Sequence, residues 1–329
     1  MKKAITILMA MALALSMTAC GKTSAATSSQ ATASVPAASE SSQAKPASSA
    51  QGKKVSLLTP YLSSVTTGQM VNAMKAGMEA EGMVVTVVDT KGDFAQLASR
   101  IEDTVSAKAD AIVLVSADPS QGASQLQSAF DAGIPVFGCD SGFIDGMMVN
   151  ATSNNYAMGD EIVKYLFKDL MGGKGTVIAL THRPHPGVVK RSEAFDADIQ
   201  EFPEIKLITE QHVEVPGPIE SAKKTMENLI LSNPEKGSIT AVFCAWDEPA
   251  IGATQALQDA GRDEVIVVGV DGNSQAVELI KQGTNLKATM AQNFDGTAQI
   301  VTQEMTKLFN GEEIEKGEQY APATLITKE

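Results

Sequence analysis

The chain runs to 329 residues, 43% of them hydrophobic, 20% charged and 5% aromatic. That is room for two globular domains, each with its own core. A formal charge of −13 and a pI near 4.8 argue against nucleic acid as a partner and against electrostatic attachment to a membrane; plain solubility accounts for the acidity.

Residues 1–19 carry Lys2 and Lys3, an apolar run and then small residues, the layout of a secretory signal that is too short to span a bilayer. The ending Met17-Thr18-Ala19-Cys20-Gly21 resembles the bacterial lipobox, with Met17 where that pattern usually has Leu. It implies that Cys20 is lipidated and becomes the mature N-terminus, the chain's only hold on a membrane; an ordinary signal cleaved elsewhere is the alternative. Residues 21–52 are Ser, Ala, Thr, Gln and Pro with nothing to bury, so 20–52 reads as a lipidated cysteine and a disordered tether.

The body alternates strand and helix. Strands are expected at 55–59, 83–89, 111–115, 134–138 and near Val149, and helices at 66–81, 93–108 and 123–132. Met70, Met74 and Met78, four apart, read as a core stripe. A second half starts near Asn154 with a helix to Met171. Strands then fall at 176–180, 205–210, 239–245, 265–270 and 286–291. The helices between and after them are 188–201, 219–231, 248–260 and 296–309, and an extended tail covers 320–326. Asp247 reads as a helix cap with Pro249 in the first turn. Repeated βα units predict parallel sheets with right-handed crossovers and helices on both faces. Two such halves, joined near Thr152 and again near Gln292, suggest two lobes with a cleft between them.

In such sheets ligands bind outside the carboxyl ends of the strands. Asp140, Trp246 and Asp271 stand there. His182, Arg183 and His185 sit at the same rim, either to meet an anionic group or, as a Pro-stiffened loop, to be solvated. Zinc would want more ligands than these histidines supply, since His212 lies in another strand. The stretch GGKGT (172–176) lacks phosphate-loop spacing. No nucleophile, base and orienting group stand together as an enzyme would need, and neither a metal nor a cofactor is expected. Cys139 and Cys244 behave as small hydrophobes in strands, and a disulfide between them stays open.

The strand IPVFGCDSG (134–142), the run ATSNNYAMGDEI (151–162), the phrase VKRSEAF (189–195), and AVFCAWDEPAIGA and VVGVDG further on resemble the type I periplasmic sugar-binding proteins of the ribose class. The resemblance covers the chain from Lys53 onward. It implies an α/β fold of two Rossmann-like lobes, a three-segment hinge, and delivery of a small neutral sugar or polyol to an ABC permease by an extracytoplasmic monomer. The N-terminal lobe would take 53–153 and 292–319, and the C-terminal lobe 154–291 and 320–329. Docking to a chemoreceptor or sensor kinase is the alternative, and an enzyme a more distant one. By position Asp140, Arg191, Asp271 and Gln292 match the family's ligand contacts. Ser141 stands where the ribose proteins have a second Arg, and Trp246-Asp247 where they have Asn-Asp. Their stacking Phe pair gives way to something like Met70 and Val71, in a longer loop containing Tyr61.

The chemistry suits polyols. Asp140 and Asp271 can each accept hydroxyl protons, Arg191 can donate in a fork, and Ser141 and Gln292 can do either. Trp246 and Tyr61 can cover the C–H face of a sugar ring.

Overall fold

Short runs of Val, Ile, Leu and Ala, buried on both faces, build two six-stranded sheets. The protein is seen as a computed structural model that describes residues 49–328. The expected signal segment, Cys20 and most of the tether lie outside the described residues. The last tether residues do not behave as free chain. The Ser49 amide donates to Asn310, that of Gly52 to the Gly82 carbonyl, and Ala50 is buried. The tether therefore ends before Ser49, not at Gly52.

The first lobe begins with β1 (Lys54–Thr59), α1 (Val65–Ala80), β2 (Val84–Asp89), α2 (Phe94–Ser106) and β3 (Ala111–Val115). It continues with α3 (Ala123–Asp131), β4 (Val136–Cys139) and β5 (Val149–Thr152). The chain then crosses to α4 (Asn155–Lys164), β6 (Gly175–Thr181), α5 (Pro186–Asp198), β7 (Ile205–His212), α6 (Pro218–Ser232) and β8 (Ala241–Cys244). After these come α7 (Asp247–Asp259), β9 (Ile266–Asp271), α8 (Ser274–Gln282) and β10 (Leu286–Ala291). It returns for α9 (Phe294–Phe309) and β11 (Gly317–Tyr320), and crosses a last time to β12 (Thr324–Thr327).

The strand orders are β2-β1-β3-β4-β5-β11 and β7-β6-β8-β9-β10-β12. Leu57 faces Val113 and Val113 faces Phe137 in the first sheet; Val177 faces Ala241 and Val242 faces Val267 in the second. All neighbours run parallel except β12, which lies antiparallel on β10. That departs from an all-parallel expectation. After β11 the chain crosses in three residues and pairs with the free edge of β10, too short a path for a helical crossover. The helix expected to run to Met171 also loosens early, into a wider π-type turn over Tyr165–Leu170.

Met70, Met74 and Met78 are buried with Phe294, Val301 and Met305 of α9, so α9 completes the first lobe's core although it follows the second lobe in sequence. Leu97, Ile101 and Leu126 cover the other face of that sheet. The second lobe packs around Phe167, Phe195 and Phe243. Each such side chain contributes roughly 1.5–3 kcal/mol. Cys139 and Cys244 are free and buried in different sheets; the Cys139 thiol points at the Met70 sulfur, 3.6 Å away. Among the described residues no helix is long and apolar enough to cross a membrane.

Candidate functional site

In each sheet the chain winds one way from one strand and the other way from its neighbour, so the order reverses between β1 and β3 and between β6 and β8. A parallel sheet opens a crevice at such a point. The residues after these strands face a shared cavity: Tyr61 and Ser64 after β1, Ser116 after β3, His182 and His185 after β6, Trp246 and Glu248 after β8. Asp140 joins from the end of β4, Asp271 from the end of β9 and Arg191 from the second turn of α5. The empty space at these residues, open solvent at the mouth included, is about 460 Å³.

Backbone geometry turns the acids inward. Asp140 has φ 50°, Asp271 φ 132° and Ser116 φ 55°. Side-chain-bearing residues rarely adopt such angles, Asp more readily than most, and they gather at functional sites. Asp140 and Asp271 are each 5% exposed and Arg191 1%. Arg191 donates from Nε to Asn155 Oδ1 (2.8 Å) and from Nη1 to the Ala245 carbonyl (2.9 Å) and Asp271 Oδ1 (3.1 Å). Its Nη2 has no acceptor among the described residues, and Arg191 lines the cavity. Asp271 Oδ1 also accepts from Gln292 Nε2 at 2.8 Å, and Asp140 Oδ1 from the Thr152 hydroxyl at 3.1 Å. Burial raises both carboxyls above the usual range, and the Arg191 charge holds them partly back.

The two lobes touch across the cavity. Because His182 Nδ1 faces the Val213 carbonyl at 3.0 Å, its Nε2 is the accepting nitrogen, and the Tyr61 hydroxyl donates to it at 3.0 Å. The Ser64 hydroxyl donates to Glu248 Oε2 at 2.8 Å. Burial raises the Glu248 carboxyl and the Tyr61 phenol and lowers His182. Among the described residues no group of three or more His, Cys, Asp or Glu is placed to hold a metal ion.

Five of the seven expected contacts therefore meet: Tyr61, Asp140, Arg191, Trp246 and Asp271. Gln292 stands behind Asp271 and holds it, off the cavity wall. Ser141 does not arrive at all. Its hydroxyl donates to the Ala117 carbonyl, its amide to Asn150 Oδ1, and it lines a separate groove with Tyr156 and Tyr320. Asp140, just past the end of β4, turns to the cleft at φ 50°, and Ser141 after it packs onto the Ala117 carbonyl. Met70 and Val71 lie in the core, and Tyr61 is the aromatic of that region.

Asp247 is no helix cap. It begins α7, fully buried, and accepts from the Asn273 amide (2.7 Å) and the Thr289 hydroxyl (2.8 Å), tying together the ends of β9 and β10. Nor is the His182–His185 loop solvated. Of its three charged or ring-nitrogen side chains, Arg183 is the one that turns from the cavity, to Glu210 and Asp196, and Pro184 beside it is exposed. Glu248, Ser64 and Ser116 were missed; the rule that sites gather at strand ends, applied to β3 and β8, would have found Ser116 and Glu248.

His185 caps α5 with its ring. Nδ1 accepts from the amides of Gly187 (3.0 Å) and Val188 (3.3 Å), which leaves the proton on Nε2, 3.8 Å from Asp140 Oδ2. Burial, Arg191 and His182 lower its pKa to about 3. Tyr61 packs on the ring from the first lobe. An unfolded histidine binds its proton near pH 6.5, so the folded state loses about 1.4 kcal/mol per pH unit as pH falls below that value. The buried acids act in the opposite sense, which makes the comparison with a variant the clean one. His185→Asn keeps a capping side chain. Its melting temperature should gain several degrees on wild type between pH 7 and pH 5. A gap that does not move with pH would mean that the ring is charged in the cavity.

Residues 55–313 match the periplasmic binding protein domain. The chain belongs to that family. The ribose import binding protein of Bacillus subtilis (strain 168) is 27% identical over 248 residues, 74% of this chain and 79% of that protein. The D-apiose import binding protein of Actinobacillus succinogenes is 31% identical over 240 residues, 72% and 76% of the two chains. An ABC sugar transporter subunit from Rhodobacter sphaeroides 2.4.1 superposes with a TM-score of 0.80 at 30% identity, covering 84% of this chain and 99% of that one. An ABC transporter solute-binding protein from Agrobacterium vitis, solved with allitol, gives 0.79 at 30% identity, covering 84% and 96%. The family is one of binding proteins, and its members serve import outside the cytoplasm.

Proposed function

We propose that this periplasmic binding protein captures a small sugar or polyol between its lobes and hands it to an ABC permease, without chemical turnover, while a lipid on Cys20 keeps it at the outer face of the cytoplasmic membrane. Asp140, Asp271, Arg191, Trp246 and Tyr61 are the ligand contacts in this reading. The observation that carries it is the convergence of two buried carboxylates, one guanidinium and two aromatic rings from both lobes on one cavity. Relatives named for ribose and D-apiose import support the solute class, and those names support the permease. Contacts that need both lobes exist only when the cleft is shut, so ligand draws the open form closed by its differential affinity. The closed surface is what a permease reads.

Trp246 is the chain's only tryptophan and lines the cavity, so its fluorescence reports occupancy directly. Titrating pentoses, hexoses and polyols against that signal, with calorimetry in parallel, should find at least one saturable ligand. A full panel that leaves both signals unchanged would refute the solute class.

A further inference from the structure

The charges in the cavity do not balance. Asp140, Asp271 and Glu248, each 5% exposed, supply three carboxylates, and among the described residues that line the cavity Arg191 is the one permanent cation. Ser141, the residue after Asp140, adds nothing: its hydroxyl is turned away onto the Ala117 carbonyl. The two imidazoles do not fill the gap. His185 caps α5 through Nδ1 and His182 accepts from Tyr61, and both uses require a neutral ring.

Two carboxylate oxygens are also left over. The bonds to Asp140 and Asp271 all end on Oδ1, and among the described residues neither Oδ2 accepts a hydrogen bond. Both residues are nineteen-twentieths buried and line the cavity. The His185 Nε2, at 3.8 Å from Asp140 Oδ2, is too far to donate. A buried charge without donors is costly unless something compensates it. The same cavity is lined by Tyr61 and Trp246, and the faces of such rings attract cations.

We propose that the ligand is a polyhydroxylated amine, an amino sugar or amino polyol, whose protonated nitrogen sits between the free oxygens of Asp140 and Asp271 while its hydroxyls meet Arg191 Nη2 and Glu248. This rests on the sugar or polyol reading and narrows it. Burial raises all three carboxyls, the sense expected of acids that face too few cations.

The test uses the full chain and matched pairs at pH 7: D-glucosamine with D-glucose, D-galactosamine with D-galactose, and 1-amino-1-deoxy-D-sorbitol with sorbitol. In at least one pair the amine should bind ten or more times tighter than its neutral partner. In Asp140→Asn and Asp271→Asn that ratio should shrink at least threefold, with a thermal melt to show that each variant is folded. Neutral members binding as tightly as the amines in every pair would overturn the proposal and leave the sugar reading standing. A preference unchanged in both variants would overturn it too. Binding by no member of any pair would overturn the proposal, and the sugar reading would then rest on the wider panel of pentoses, hexoses and polyols.

Discussion

Arg191→Ala should cost about 3–5 kcal/mol of stability at pH 7 and remove ligand binding. The side chain is 1% exposed and ties together three elements: α4 through Asn155, the end of β8 through the Ala245 carbonyl, and the end of β9 through Asp271. Without it Asp271 keeps only the Gln292 amide as a donor, and Asp140 loses the nearest charge that holds its pKa down. Both carboxyls then titrate higher still. The sign of the pH effect follows. Folded carboxyls with raised pKa bind more protons than unfolded ones, so stability falls as pH rises. The deficit of the variant should therefore be larger at pH 7.5 than at pH 5, where its acids can stay neutral. Arg191→Lys should keep part of the stability but not the binding, because an ammonium cannot reach Asn155, Ala245 and Asp271 from one plane. A variant that melts like wild type at pH 7 would show that Arg191 does not hold the cavity together.

The same residues show what a reader of the sequence can and cannot see. Val136–Cys139 and Ile266–Asp271 are apolar runs that stop at an acid, and a parallel sheet puts such stops beside a crevice. Asp140 and Asp271 were legible on that ground, and Arg191 from the phrase around it. The facing of a side chain beyond a strand end was not legible, because it turns on a single φ angle. Asp140 at φ 50° looks into the cleft and Ser141, one residue on, looks out. Asp247 and Glu248 are the same problem at the start of a helix: the first is buried among strand ends, the second faces Ser64. A histidine ring as helix cap has no simple composition signal, since Ser, Thr, Asp and Asn dominate that position. The pairing of β12 was hidden too, for it depends on where three crossing segments bring the chain back.

Gly159→Ala should destabilise the second lobe by about 1–3 kcal/mol even though alanine is the better helix former. Gly159 lies in α4 where that helix packs against α5. A Cβ there would stand 2.8 Å from the Arg191 Cα and 2.9 Å from both the Arg191 carbonyl oxygen and the Ala194 Cβ. Those are backbone and near-backbone atoms that cannot swing aside, so the two helices must part. Arg191 is carried on one of them and held by Asn155 from the other, and parting them stretches the 2.8 Å bond between the two residues. Ligand affinity should fall about tenfold in consequence, a loss of about 1.4 kcal/mol. Gly68→Ala is the control. It also sits inside a helix, α1, but the nearest atom to its added methyl would be the Leu62 carbonyl oxygen at 3.6 Å, an ordinary contact. That substitution should be neutral or stabilise by about 0.5–1 kcal/mol through helix propensity alone. Opposite signs for the two alanines, read from thermal melts and Trp246 titrations, are expected because close helix packing at α4 and α5 sets the position of the guanidinium. Equal signs would mean that α5 can shift without cost and that Arg191 reaches its partners through its own flexible stem.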